Sequence, residues 1–123
     1  MYQNDTTTAH QLWSRMDLKS SAYDLGTQIT DHFEVVEKSP DHITVRCGDS
    51  PLKTGVRDSE GLFEMGVQVN LEEGVAVFSL KSVFYKGAGK VEGVDGPMPA
   101  PVEFAHRLYT KLLMETAIHN VVV

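Results

Sequence analysis

The middle of this chain keeps a two-residue rhythm of apolar and polar positions, and its end keeps a three-and-four rhythm. Apolar side chains alternate with polar ones from Leu62 to Leu71 and again from Val75 to Tyr85, the mark of two half-buried strands. Taking Leu71-Glu72-Glu73-Gly74 as the loop sets Asn70 opposite Val75. Phe63, Met65, Val67 and Val69 then share one face with Ala76, Phe78, Leu80 and Phe84. On the other face Glu64 meets Lys81, an opposite-charge pair worth a few tenths to about 1 kcal/mol. A one-residue slip would break both patterns, so the alternation defines the register. From Pro99 to Val123 the period lengthens, and Ala105, Leu108, Tyr109, Leu112, Leu113, Thr116 and Ala117 draw an apolar stripe along one long helix. Glu103, Arg107, Lys111 and Glu115 fall on its opposite side as i,i+4 charge neighbours. Pro99 and Pro101 sit where a helix tolerates proline, at or before its first turn.

Shorter signals fill in the rest. Residues 1 to 7 are polar and expected to be disordered, after which Thr8 is placed to cap a short helix carrying Leu12, Trp13 and Met16. That helix should end by Ser21. Phe33-Glu34-Val35-Val36-Glu37 and Ile43-Thr44-Val45-Arg46-Cys47 are β-branched runs joined by the turn tripeptide Ser39-Pro40-Asp41. Gly48 to Ser59 is loop chemistry, and Lys86 to Met98, with its glycines and no period, reads as a flexible crossing loop. Strands and helices are segregated, which predicts an α+β fold with a curved antiparallel sheet packed on the C-terminal helix. A chain of 123 residues makes one domain, 1–123, with no room for a second.

Composition narrows the chemistry. A formal charge of −6 without a basic cluster argues against nucleic acid or an anionic membrane as partner. No apolar run approaches the roughly 20 residues of a spanning helix, and the start MYQNDTTT lacks a signal peptide's apolar core. One cysteine allows no intrachain disulfide, which suits a cytoplasmic, reducing setting. Five scattered histidines and Cys47 show no metal-ligand spacing. Phosphate loops, dinucleotide fingerprints and a Gly-x-Ser-x-Gly elbow are all missing, so no cofactor is expected.

A sheet closed by one long C-terminal helix resembles the helix-grip fold of the START-like superfamily. The stretches that carry the likeness are Gly61 to Tyr85 (GLFEMGVQVNLEEGVAVFSLKSVFY) and Pro99 to Asn120 (PAPVEFAHRLYTKLLMETAIHN). Arg46-Cys47-Gly48-Asp49-Ser50-Pro51 and Arg57-Asp58-Ser59-Glu60-Gly61-Leu62-Phe63 look like small uncharacterised fungal proteins of this type. A full helix-grip domain opens on a strand and has six or seven, where the pattern here gives four. Either the sheet is reduced, residues 20 to 31 hide a strand, or a second subunit completes it. The resemblance implies an apolar cavity between sheet and helix, as in polyketide cyclases and carriers of hydrophobic ligands. Catalysis there would rest on one or two polar groups polarising a substrate carbonyl.

Each candidate residue has a plain reading beside its functional one. Tyr109, in the stripe, is either a core tyrosine bonded to backbone or a donor to a ligand carbonyl. His106, at the stripe's edge, is either a surface histidine or the chain's best general acid or base. Arg57 and Asp58 form a turn brace or a loop site, with Asp58 the third catalytic candidate. Arg46 could join Arg57 to hold a carboxylate or enolate, although strand alternation puts it opposite Val45 and Cys47 and therefore outside. Cys47 reads as buried filler. Phe63, Met65, Phe78 and Leu112 would line the cavity, and these four with Val67 and Leu80 would form a core nearly closed to solvent.

The leading expectation is a cofactor-independent, polyketide-cyclase-like enzyme of secondary metabolism, of cyclase, isomerase or lyase type, acting on a hydrophobic carbonyl-rich molecule. The alternative is a non-catalytic carrier or sensor of an apolar small molecule or lipid. A cavity-free interaction module is the third reading. A sheet of four or five strands leaves a bare edge, which predicts a homodimer, by edge pairing or by burial of Leu12 and Trp13 against a partner.

Overall fold

The structure, a computed structural model, describes residues 3–90, 96 and 98–121. The helix α1 (Arg15–Ser20) leads into five strands, β1 (Gln28–Ile29), β2 (Phe33–Lys38), β3 (His42–Gly48), β4 (Ser59–Asn70) and β5 (Val75–Lys86), followed by the helix α2 (Ala100–Val121). The strands form one curved, unclosed antiparallel sheet in the order β1-β2-β3-β4-β5. The α+β class read from the sequence is the fold observed. The fifth strand is β1, two residues hidden in the stretch that had no strand signal of its own.

The long hairpin has the expected register. Asn70 faces Val75, Met65 faces Leu80, and Glu64 faces Lys81 with Nζ 2.7 Å from the carboxylate. At its tip the Asn70 side chain accepts from the Glu72 and Glu73 amides, and Gly74 supplies the positive φ of 66° that ends the turn. Pairing across β2 and β3 adds Phe33, Val35, Val45 and Cys47 to the apolar face. A bulge at Val36 then turns Glu37 toward the opposite face, where it accepts from the Thr44 hydroxyl at 3.1 Å.

Two features differ from expectation. The cap of α1 is Ser14, which forms a reciprocal capping box with Asp17. Thr8 is spent elsewhere, its hydroxyl bonded to Gln3 O and to the Asp5 amide in a turn. Trp13 donates Nε1 to Thr8 O, and Leu12 bridges to Ile29, so both are engaged within the chain.

The second difference is larger. Only Val35 (1% exposed) and Val45 (4%) are buried apolar side chains among the described residues. None of Phe63, Met65, Val67, Phe78, Leu80 and Leu112 is closed off as expected, and Leu112 is 55% exposed. The cause lies in how α2 sits. It approaches the sheet over the edge strand β5 alone. His106, Thr110 and Met114 share the sheet side with Tyr109, Leu113 and Ala117 of the expected stripe, while Leu108 and Leu112 of that stripe stand more than half exposed. Truncating Phe78 should therefore cost less than the 3–5 kcal/mol of a fully buried aromatic.

The β2–β3 turn carries a pH-sensitive brace. His42 Nδ1 lies 3.0 Å from Asp41 and Nε2 lies 3.5 Å from Glu37. The hydrogen bond to Asp41, helped by Glu37, raises the His42 pKa above the usual imidazole value, and Ser39 and His42 together lower that of Asp41. A raised imidazole pKa contributes stability that is full below the unfolded value near 6.5 and lost as pH rises through the folded value. The lowered Asp41 adds stability above roughly pH 4 that is lost in stronger acid. The hairpin should be firmest between about pH 4.5 and 6. Proton NMR titration should find the His42 midpoint above 6.5, and a midpoint at or below it would remove the brace.

Candidate functional site

The register places Gly61 opposite Phe84, and that pairing shapes the space beneath α2. A side chain at Gly61 would meet Phe84 and the Cys47 sulfur at 2.8 Å, so the glycine lets the Phe84 ring lie down across the sheet. The His106 ring from α2 stands on Phe84 edge to face, centroids 4.7 Å apart. Phe33 and Phe63 make a second edge-to-face pair at 5.9 Å on the same face. Between them and the helix lies a gap of about 280 Å³. Its floor includes Phe33, Cys47, Phe63, Leu80 and Phe84, and its roof His106, Tyr109, Thr110 and Leu113.

Few polar groups point to this space. The Thr110 hydroxyl is tied to His106 O at 2.9 Å. His106 Nε2 is shut off from solvent and has no hydrogen-bond partner among the described residues. Burying an imidazole nitrogen unpaired costs about 1–3 kcal/mol, which a ligand group could recover. Burial pushes the Cys47 thiol pKa up, which disfavours the nucleophilic thiolate. A second hollow of about 230 Å³ shares His32, Cys47 and Phe84 with the first and extends to Glu60 and Tyr85.

A wider hollow of about 380 Å³ lies against the β2–β3 turn. Its polar groups are already used: Lys38 bonds Ala22 O and Asp24, and the Tyr23 hydroxyl bonds Leu18 O. The gap under α2 is the better candidate.

The remaining candidates are scattered. His106, Tyr109 and Phe63 line the gap, whereas Met65 and Phe78 line a smaller hollow of about 100 Å³ near the end of α2. Leu112 turns outward. Arg46 and Arg57 do meet, on the opposite face of the sheet and around a carboxylate of their own chain. Glu60 accepts from Arg46 at 2.9 Å, from Arg57, and from the Tyr85 hydroxyl at 3.0 Å, while Glu34 takes the other arm of Arg46 at 2.9 Å. Two cations facing two carboxylates leave no net charge for an anionic ligand. Arg57 braces its loop by donating to Ser50 O and Lys53 O, and its acid partner is Glu60 rather than Asp58. Asp58 is exposed and does not line the gap. The flexible crossing loop expected from Lys86 to Met98 falls partly outside the described residues.

His32, Gly61 and Glu60 were not singled out from the sequence, and Phe84 was placed on the apolar face without a role at the site. A signal for three of the four existed, since the register that pairs Asn70 with Val75 also pairs Gly61 with Phe84 and Glu60 with Tyr85. Among the described residues no group of three His, Cys, Asp or Glu is placed to hold a metal ion, and no helix is long and apolar enough to cross a membrane. Compared with protein-family models, curated proteins and solved structures, the chain matches none.

Proposed function

We propose that the gap between α2 and the sheet is a ligand site for a small, largely apolar molecule carrying one hydrogen-bonding group, most simply a carbonyl. The observation that carries this reading is the gap itself, floored largely by Phe33, Phe63, Leu80 and Phe84, with Ser82, His106, Tyr109 and Thr110 as polar members of its lining and His106 Nε2 buried without a hydrogen-bond partner among the described residues. Such a site fits the general character of ligand pockets, mostly apolar with a few placed polar atoms, at the small end of their size range. A helix over a curved sheet also supports a reduced helix-grip reading, in keeping with the START-like resemblance. A single cysteine, which can form no intrachain disulfide, fits a reducing, cytoplasmic setting. The partners of this reading are the apolar molecule and a second copy of the chain.

Naphthyl methyl ketone is a suitable probe. Titrated into the protein, it should shift the ring resonances of Phe33, Phe63, Phe84 and His106, and His106→Ala should weaken binding about tenfold, the worth of one hydrogen bond. Absence of binding at millimolar ketone, or shifts confined to other residues, would remove the site.

A catalytic reading of the same residues is favoured by His106 and Tyr109 lining one gap. Cofactor-independent cyclisation, dehydration or isomerisation would use His106 to move a proton and the Tyr109 hydroxyl to polarise the carbonyl. Given a substrate, His106→Ala and Tyr109→Phe should stay folded and lose about 10²-fold in turnover. Ketone binding without turnover of any carbonyl substrate would leave the carrier reading.

A further inference from the structure

The turn that leads into the floor of the gap is built against the preferences of its residues. Thr30 and Asp31, between β1 and β2, both lie in the left-handed region, with φ of 50° and 53°. The His32 N–H closes the turn by donating to Ile29 O at 3.1 Å. Two successive positive φ values across such a bond are the pattern of a type I′ turn, whose usual occupants are Asn, Asp and Gly. Aspartate accepts this region readily. A β-branched threonine there is an outlier that its surroundings must hold in place.

What holds it is a strap from the N-terminal segment. Leu12 pairs with Ile29 in a parallel bridge, its carbonyl accepting from the Thr30 N–H at 3.1 Å and its N–H donating to Gln28 O at 2.9 Å. Beside it Gln11 is a buried polar side chain, 5% exposed. Its Oε1 accepts from the Asp31 N–H, and its Nε2 donates to Asp31 Oδ1 at 3.3 Å and to Gln28 Oε1 at 3.4 Å. From the other side the Ser50 hydroxyl donates to the same Asp31 oxygen at 2.6 Å. A buried amide spent on one turn is costly to leave unpaired, so strap and turn constrain each other.

The two residues that follow the turn belong to the gap. His32 and Phe33 both line it, their rings edge to face at 4.5 Å, and Phe33 carries the contact on to Phe63. His32 also lines the second hollow, so it stands where the two spaces meet. Gln11 and Asp31 line neither. We infer that Gln11 and Asp31 are positioning residues for the ligand site: they hold the Thr30–Asp31 turn in its left-handed form and thereby fix the His32–Phe33 side of the gap. The consequence for binding, which rests on the ligand reading above, is that a relaxed turn redirects both rings and the ligand loses an aromatic side of its site.

Gln11→Ala tests this. The ring resonances of His32, Phe33 and Phe63 should move, and affinity for naphthyl methyl ketone should fall about tenfold at a temperature where the variant is fully folded. Adding Thr30→Asn/Asp31→Gly supplies the residues that a type I′ turn prefers and removes the need for Gln11. The triple variant should recover the wild-type ring positions and affinity. Unmoved rings and unchanged affinity in Gln11→Ala would overturn the inference, as would a triple variant that stays shifted. If Gln11→Ala alone does not fold, the triple variant must, and its failure would overturn the inference equally. Arg46→Lys, which loosens the opposite face of the sheet, should bind the ketone as wild type does. A loss there equal to that of Gln11→Ala would mean that affinity merely follows stability. Wild-type protein that binds no ketone removes the ligand reading alone, since ring shifts in Gln11→Ala that the turn substitutions reverse still establish the strap.

Discussion

Replacing Arg46 by alanine should destabilise the protein by about 3–5 kcal/mol, the loss expected when a buried ion pair loses one partner. Arg46 lies on the face of the sheet away from α2 and is one of the few buried polar side chains among the described residues. Its two arms satisfy Glu34 and Glu60, both largely covered. Without the guanidinium, Glu34 has no cation in contact and Glu60 keeps only Arg57 among the described residues. That leaves excess negative charge where water cannot fully solvate it. In a domain whose apolar core holds two buried valines, such a loss is a large share of a typical 5–15 kcal/mol total. Arg46→Lys keeps the charge and drops the two-armed geometry, so it should fall between wild type and alanine. Urea unfolding of the three proteins measures the series. A loss below about 1 kcal/mol in Arg46→Ala would mean that the cluster is solvated and that stability resides elsewhere.

Much of this architecture could be read along the chain, because periods of two and near four are imposed by backbone geometry. The β4–β5 register, the Glu64–Lys81 pair and the β2–β3 turn all follow from local pattern and turn chemistry. The rotation of α2 does not. Of the stripe from Ala105 to Ala117 the sheet side receives Tyr109, Leu113 and Ala117, joined by His106, Thr110 and Met114, while Leu108 and Leu112 are left outward. Periodicity identifies an apolar face without saying what covers it. Arg46 shows the same limit in another form. Alternation assigned it correctly to the face away from the helix, and that face was then equated with solvent. The β3–β4 register, with Arg46 opposite Leu62 and Gly48 opposite Glu60, sets Glu60 diagonally within reach of Arg46, a contact over 14 residues of sequence that depends on a pairing the local pattern did not supply. The pairing of His106 with Phe84 was likewise invisible, since it depends on where α2 lands.

Gly61→Val should cost about 1–3 kcal/mol in stability and abolish binding of a ketone probe, although valine is the better strand former. Propensity alone predicts a gain at this position, so a loss isolates the packing effect. The added Cβ would sit 2.8 Å from both the Cys47 sulfur and the Phe84 ring. The backbone of Gly61 is held by pairing to both Cys47 and Phe84, so the strand has little freedom to back away. Phe84 must then lift off the sheet, toward the His106 ring that already stands on it at 4.7 Å. The ring that moves is part of the floor of the gap, and the space it enters is the gap itself. Stability and binding should consequently fall together in Gly61→Val. Removing the obstacle tests the mechanism: in a Phe84→Ala background the same substitution should be neutral or better for stability, a coupling that a double-mutant cycle measures. If Gly61→Val costs as much with Phe84 absent as with it present, the clash lies with Cys47 or the backbone, and the glycine does not serve the aromatic floor.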